Sequence, residues 1–506
     1  MTSKPPNIIL IVLDTVGAKH LSLYGYPRRT TPNLEEIAGE CMVYPRCFAT
    51  SNWTMPSHAS MFTGLYPSQH GVYEGNLTLW DNVHHLASIL KMAGYQTLGV
   101  SANGLVAPAS GLCPDFDYFK DLGFGLFDQF LDRMQHKPME SSRELWIELT
   151  RKLSVRHFCQ ASLQHFSKNG GIGELIRLVQ WVAKSSLQSV LNPTPIDKSS
   201  GLTKDTVKIF NEIFDTNIVQ NDHPFFIFIN FIEAHQRYRP PLRYRKFSHW
   251  YDKQLLSSLR CYKTENSPAK ENFIRKYLNL YDDEIYFLDR IIRQLWDIFK
   301  NTKYFDETLI IITSDHGEHL GEKEHYGHYL SLYNELIWVP LVVKFPREYG
   351  KKGEDQRLVS LTDFYSTILD LIGSPMPRPW TSLSLLDGQT RELALAQLVL
   401  PEQFKAQLEA KRNLCRKTGV DYYPHILAVI TKNGYKIIED RPGNLEVYNL
   451  NSNMSENHNL APHLTPEALG AYHELLEDIK IETNYYEAVE DGVTRTGLEG
   501  ILSNNN

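Results

Sequence analysis

Cysteine is scarce in this chain. Six are spread over 506 residues, at Cys41, Cys47, Cys113, Cys159, Cys261 and Cys415, and none forms a CxxC pair. That density excludes a disulfide scaffold. Cys41 and Cys47 have no second pair to complete a thiolate metal site, so buried thiols are expected. Basic charge is not in excess either. The 52 Lys and Arg face 59 Asp and Glu, for a net charge of −7, which speaks against nucleic acid as a partner. Apolar runs of membrane length are lacking. Asn7–Leu13 is too short for a signal segment with its cleavage site, and far short of the ~20 residues a bilayer span needs. A cytoplasmic protein is the expectation, and the sequons at Asn52 and Asn76 then read as chance matches.

What is present is a repeating α/β pattern. The composition, 42% hydrophobic and 22% charged, suits one large core with a smaller domain. Residues 7–13, 96–100, 224–230, 307–313 and 339–345 read as buried strands. Helical patterns fall at about 31–39, 56–62, 84–93, 273–300 and 361–372. Apolar strands alternating with amphipathic helices imply a large, mostly parallel sheet sandwiched by helices. The Pro-rich stretch at 374–380 reads as a boundary. A catalytic α/β domain is therefore expected over 1–375, with a C-terminal antiparallel-sheet-plus-helix subdomain over 376–506 that ends in a loose tail. Residues 119–205 read as a helical insertion. Within it, 151–184 hold six Lys or Arg against one Glu. This is either a solvated face or a surface for peripheral membrane contact.

Chemistry gathers at the carboxyl ends of the strands, where open α/β sheets place their ligands. Asp14 follows the first strand, His235 follows the 224–230 strand, and Asp315-His316 follow the 307–313 strand. Thr54 lies at the start of the 56–62 helix, where exposed amides favour an anion. A hydroxyl, two carboxylates and an imidazole can form a metal site with an activated nucleophile.

These segments also carry a resemblance. Asn7-Ile-Ile-Leu-Ile-Val-Leu-Asp14, Tyr24-Gly-Tyr, Thr31-Pro-Asn-Leu34 and Thr54-Met-Pro-Ser-His58 through Thr63-Gly64 to His70-Gly71 come first. Glu233-Ala-His235 with Pro240-Pro241, Thr313-Ser-Asp-His-Gly-Glu318, Gly327-His328, Leu332-Tyr333-Asn334-Glu335 and Val447-Tyr-Asn-Leu450 follow. In this order, nearly end to end, the motifs resemble the sulfatase family of the alkaline phosphatase superfamily.

The resemblance implies one divalent metal held by Asp14, Asp315 and His316, with Thr54 as both nucleophile and ligand. It implies catalytic roles for His235, His328 and His58. His235 and His328 are each open to leaving-group protonation or to binding ester oxygens. Substrate contacts are implied at Asn76 and Asn103. Arg237 and Arg239, in a basic run with Arg243, Arg245 and Lys246, would meet further negative charge, as on a lipid head group or a glycan-linked phosphate. His84, His85, His319 and His325 read as solvent-facing.

Two departures bear on function. The family signature opens with Cys or Ser, oxidised to formylglycine, whereas Thr54 would oxidise to a ketone. That points towards the branches resembling phosphonate monoester hydrolases, phosphodiesterases and phosphoglycerol or phosphoethanolamine transferases. The usual Asp-Asp is Asp14-Thr15, and His316 replaces an Asn. Such a donor set suits manganese or zinc better than calcium. Glu233 and His235 offer donors for a second metal without an evident third. The main expectation is hydrolysis or transfer of a phosphorus ester through a Thr54 intermediate. Sulfuric-ester hydrolysis on the same site is the alternative, and a non-catalytic binding relative is the third reading.

Overall fold

The structure is a computed structural model. It describes residues 5–74, 76–80, 83–123, 198–215, 223–236, 238–248, 268–328, 330–400, 424–452 and 454–486. Two compact units are distinguished, residues 1–124 with 202–506, and residues 125–201. Most of the 119–205 insertion, including all of 151–184, lies outside the described residues, as does the tail after Tyr486.

An eight-stranded sheet forms the centre. Asn7–Leu13 lies between Phe225–Phe231 and Thr308–Thr313, parallel to both. Gln96–Ser101 and Tyr118–Asp121 extend the sheet in the same direction. Alternate residues of the first strand enter two separate cores. Ile8, Leu10 and Val12 face one, and Ile9, Ile11 and Leu13 face the other. That is the period-2 consequence of a pleated strand with both faces covered. Met55, Ala59 and Phe62 of the Thr54–Thr63 helix pack on the first face. Tyr277, Tyr281, Leu288 and Trp296 of the Pro268–Lys300 helix pack on the second. Met55, Phe62 and Leu288, fully buried, each contribute ~1.5–3 kcal/mol.

One strand departs from the parallel pattern. Leu341–Lys344 runs antiparallel to Thr308–Thr313. Among the described residues the chain between them, 314–340, carries no long crossover helix, only short turns at Glu322–Glu324 and Asn334–Ile337 and the small hairpin of His319–Leu320 with Tyr326–Gly327, whereas a parallel return is usually made through a helix. The C-terminal strands Leu393–Gln397, His425–Thr431, Tyr435–Asp440 and Leu445–Asn449 form a four-stranded antiparallel sheet. Ala394, Ala428, Ile430 and Ile438 join the first large core. Leu427 and Ile437 face Leu476 and Ile479 of the Pro466–Glu482 helix. Among the described residues no helix is long and apolar enough to cross a membrane. The described cysteines Cys41, Cys47 and Cys113 are buried free thiols.

Candidate active site

The turn after the first strand is held in an uncommon conformation. Thr15 has φ +62°, a left-handed geometry that costs a non-glycine residue energy. The neighbourhood enforces it. Thr15 N donates to Asp315 Oδ1 at 3.2 Å, Val16 N to Ser314 Oγ at 3.0 Å and Gly17 N to the Tyr281 hydroxyl at 3.0 Å. The Tyr281 hydroxyl in turn donates to Thr15 O at 2.6 Å. On the opposing turn a Cβ at Gly317 would lie 2.1 Å from Glu335 O, so only glycine allows this approach.

Together these turns bring one ligand atom each of Asp14, Asp315 and His316 within 4.8 Å of one another. All three side chains are buried. His316 Nδ1 donates to Gly317 O at 2.9 Å, which leaves Nε2 as the lone-pair nitrogen. That atom is 3.9 Å from Asp14 Oδ1 and 3.6 Å from Asp315 Oδ2. Burial, reinforced by His328, holds His316 well below the usual histidine range and keeps it neutral. Asp315 is pushed well above the usual carboxylate range, first by burial and then by Asp14. Asp14 Oδ1 and Asp315 Oδ2 are buried without a hydrogen-bond partner. Such orphaned carboxylate oxygens are costly unless a cation joins them. Two carboxylates and a neutral imidazole therefore fit a divalent metal.

Thr54 stands at this cluster. It is the first residue of the Thr54–Thr63 helix, with Trp53 as the extended N-cap, so its own place is one residue inside the helix. Its Oγ1 lies 3.4 Å from His316 Nε2. His58, one turn on, donates from Nδ1 to Thr54 O at 2.9 Å and lies 3.5 Å from Asp315 Oδ2. Burial lowers His58 to about 4, so it is a neutral neighbour.

His235, His328 and Asn103 also reach this region. The His328 ring is 5.0 Å from that of His235 and 4.7 Å from that of His316. Burial is the largest influence on His328 and lowers it, but Glu318 and Asp14 together outweigh it and the net shift is upward. Asn103 Nδ2 donates to Asp14 Oδ2 at 2.6 Å, a bond that orients a candidate metal ligand. Asn76 instead braces its own loop, donating to Gly71 O at 2.6 Å. Arg237 lies outside the described residues.

Arg239 N donates to buried Glu284, and Lys246, Phe247 and Ser248 donate their amides to Asp283. These acids of the Pro268–Lys300 helix pin the basic loop. Lys246 and Arg290 both sit over the Tyr286 ring, and Arg28 joins Lys246 at the Phe247 ring. His85 and His319 are buried rather than solvent-facing. His85 Nδ1 accepts from Ala87 N to cap its helix, and His319 bonds Ser331 Oγ at 3.1 Å. Sequence reasoning had no signal for Glu318 beyond its place in the Asp-His-Gly-Glu run, nor for Gln236 at all. Both sit among the candidate histidines.

Comparison with known proteins follows the same lines. A family model described as sulfatase matches residues 6–374. The N-acetylgalactosamine-6-O-sulfatase of Bacteroides thetaiotaomicron is 23% identical over 536 residues, spanning 94% of each chain. Among solved structures, a protein bound to its substrate D-glucosamine-2-N,6-O-disulfate aligns with TM-score 0.64 at 16% identity, over 95% of this chain and 98% of that one. The phosphonate monoester hydrolase of Agrobacterium radiobacter aligns with TM-score 0.62 at 18% identity, over 94% and 96%.

Proposed function

The chain belongs to the sulfatase family, and on that premise we propose that it hydrolyses a small anionic ester at the Asp14–Asp315–His316 cluster, with Thr54 as the attacking group. The observation that carries this reading is the position of Thr54. Its hydroxyl is 3.4 Å from His316 Nε2, beside two carboxylate oxygens with no hydrogen-bond partner.

A divalent cation bound there supplies a Lewis acid that offsets the ester's charge and favours the ionised hydroxyl. The donor set argues for manganese or zinc over calcium. Thr54 Oγ then displaces the alcohol from the ester and carries the phosphoryl or sulfuryl group until water, or an acceptor alcohol, removes it. The free amides at the start of the Thr54–Thr63 helix, where Pro56 has none, would help hold the transferred anion. Asp14 is kept in orientation by Asn103, and His316 by its bond to Gly317 O. His235 and His328 would supply the proton for the departing oxygen.

The relatives weigh towards sulfuric esters, on a sugar such as those in their names, and that alternative has more support from the comparisons than the phosphorus ester. Thr54 itself is the specific observation that favours the second reading. A threonine gives an alkoxide and not an aldehyde hydrate, which suits phosphoryl transfer and the likeness to a phosphonate monoester hydrolase. In either case Arg28, Arg243, Lys246 and Arg290 would attract the negative charge of the remaining substrate.

The test is a matched set of p-nitrophenyl esters, namely sulfate, phosphate monoester, phosphodiester and phosphonate, with manganese or zinc and a Thr54→Ala control. Turnover that vanishes in the variant supports the reading, and the preferred ester chooses between sulfur and phosphorus. Turnover equal in the variant contradicts it.

A further inference from the structure

The two turns that carry Asp14 and Asp315-His316 meet on a third segment. The single helical turn Asn334–Ile337 and the residue after it touch both. Leu336 O accepts from Gly317 N at 2.7 Å, and Trp338 O accepts from Ala18 N at 3.0 Å. The Glu335 carboxylate accepts from Lys19 Nζ at 2.8 Å. Its carbonyl oxygen would lie 2.1 Å from a Cβ at Gly317 and 3.3 Å from one at Gly17. Backbone packed this closely has little room to shift. The place of residues 334–338 therefore sets the spacing of the two metal-ligand turns.

Behind that segment stands a buried ion pair from beyond the Pro-rich boundary at 374–380. Lys436 lies on the Tyr435–Asp440 strand, and Glu456 follows the Leu445–Asn449 strand. Their charged atoms are 2.6 Å apart and both side chains are fully buried. An ammonium has three donors. Lys436 Nζ directs them at Leu332 O, 2.7 Å away, at Asn334 Oδ1, 2.8 Å away, and at Glu456. Glu456 Oε2 accepts from Asn334 N at 2.7 Å, and Asn334 Nδ2 donates to Met454 O at 2.9 Å. Glu456 itself has φ +52°, a conformation uncommon for a residue with a side chain. Burying two charges costs desolvation that their attraction rarely offsets, and apolar residues of similar volume often stabilise as well or better. What this pair provides and an apolar pair cannot is a set of directed bonds to Leu332 and Asn334.

We propose that Lys436 and Glu456 are positioning residues for the metal site: from the C-terminal sheet they hold residues 332–338 in the place that sets Asp14 opposite Asp315 and His316. The inference rests on the reading of Asp14, Asp315 and His316 as a metal site. It makes the C-terminal subdomain a working part of that site. A pair that served the fold alone could be replaced by apolar residues with no effect on the metal.

Metal affinity, measured apart from stability, decides it. Manganese or zinc is titrated calorimetrically into chelator-treated wild type, Lys436→Met/Glu456→Met, Asn334→Ala and Ile437→Ala, and each metal-free protein is melted in parallel. The double variant leaves neither partner unpaired, and Lys323, 3.9 Å from Glu456, keeps its contact with Glu335 at 3.7 Å. It is expected to melt close to wild type. Its metal Kd should nevertheless rise ~10–100-fold, the usual effect of losing support behind metal ligands. Asn334→Ala keeps the ion pair and loses only the side-chain bonds, so a rise at the lower end, ~10-fold, is expected. Ile437, the next residue of the strand, packs with Leu476 and Ile479 instead. Ile437→Ala should lower the melting temperature and leave the metal Kd unchanged.

The proposal is overturned if the double variant, or Asn334→Ala should the double variant not fold, binds metal as wild type does. It is overturned equally if Ile437→Ala loses as much affinity. Asp14→Ala locates the measured binding. If wild type binds neither metal, or if Asp14→Ala binds as tightly, the metal reading fails and takes the inference with it. If wild type binds, Asp14→Ala does not, and the double variant matches wild type, only the inference fails.

Discussion

Asn103 separates two roles that look alike in sequence. A substrate contact and a brace for the metal carboxylate would both be polar groups near Asp14. Its Nδ2 lies 2.6 Å from Asp14 Oδ2, and its Oδ1 accepts from Leu105 N at 3.0 Å. In Asn103→Ala, Asp14 loses the bond that fixes its rotation. A hydrogen bond to a charged acceptor is worth ~1.5–3 kcal/mol. Loss of a brace on a metal ligand weakens metal binding ~10–100-fold, or ~1.4–2.7 kcal/mol. The two estimates agree, so a metal Kd higher by ~10–100-fold is expected. Calorimetric titration of manganese or zinc into the chelator-treated protein measures it, alongside kcat and KM at saturating metal. Excess metal should restore most of kcat and leave KM near wild type. An unchanged metal Kd with a raised KM would refute the reasoning and make Asn103 a substrate contact.

Further outcomes follow from the same geometry. Thr54→Ser keeps the hydroxyl and should retain measurable turnover where Thr54→Ala loses it, in a steady-state assay of both. Gly317→Ala forces a Cβ against Glu335 O, 2.1 Å away, and should cost about 1–3 kcal/mol or more in a urea melt, with weaker metal binding. Glu233 is raised to about 8, by burial first and by Asp14 among lesser causes. A carboxyl raised in the folded state binds more protons than in the unfolded chain between its ordinary value and about 8, so stability falls as pH rises through that window. Glu233→Gln should therefore flatten the melting temperature between about pH 5 and 8, and an unchanged slope would contradict the assignment. Lys246→Glu with Arg290→Glu should raise KM for a multiply charged substrate more than it lowers kcat, and equal effects would remove the loop from substrate recruitment.

Much of the fold was legible because its strands are buried on both faces. Asn7–Leu13 and Phe225–Phe231 are continuous apolar runs, and such runs belong to central parallel strands. The direction of Leu341–Lys344 was not legible, since an apolar run has no polarity of its own. It is set by a connection, residues 314–340, that builds the Asp315–His316 turn without a long crossover helix among its described residues. That Asp14, Thr54, Asp315 and His316 lie together was legible because each sits in a motif at a strand or helix end. The left-handed Thr15 was not, because a non-glycine residue gives no local sign of positive φ. Asn103 was read as a substrate contact, whereas its bond to Asp14 spans 89 positions of chain and the Gln236–Glu318 bond spans 82, so these contacts lie beyond any local pattern. His85 and His319 were misread as solvent-facing because a histidine's burial depends on partners such as Leu112 O and Ser331 Oγ, which come from other segments.

The central claim is that Thr54 becomes covalently loaded. Wild type with manganese or zinc is mixed with the preferred ester, carrying label in the phosphorus or sulfur atom, and quenched within a single turnover. The peptide containing Thr54 is then isolated and sequenced by mass spectrometry. The account predicts label on Thr54 that forms before the free acid, disappears as it is released, and is absent from Thr54→Ala. Full turnover with no label at Thr54, and with Thr54→Ala still active, would contradict it.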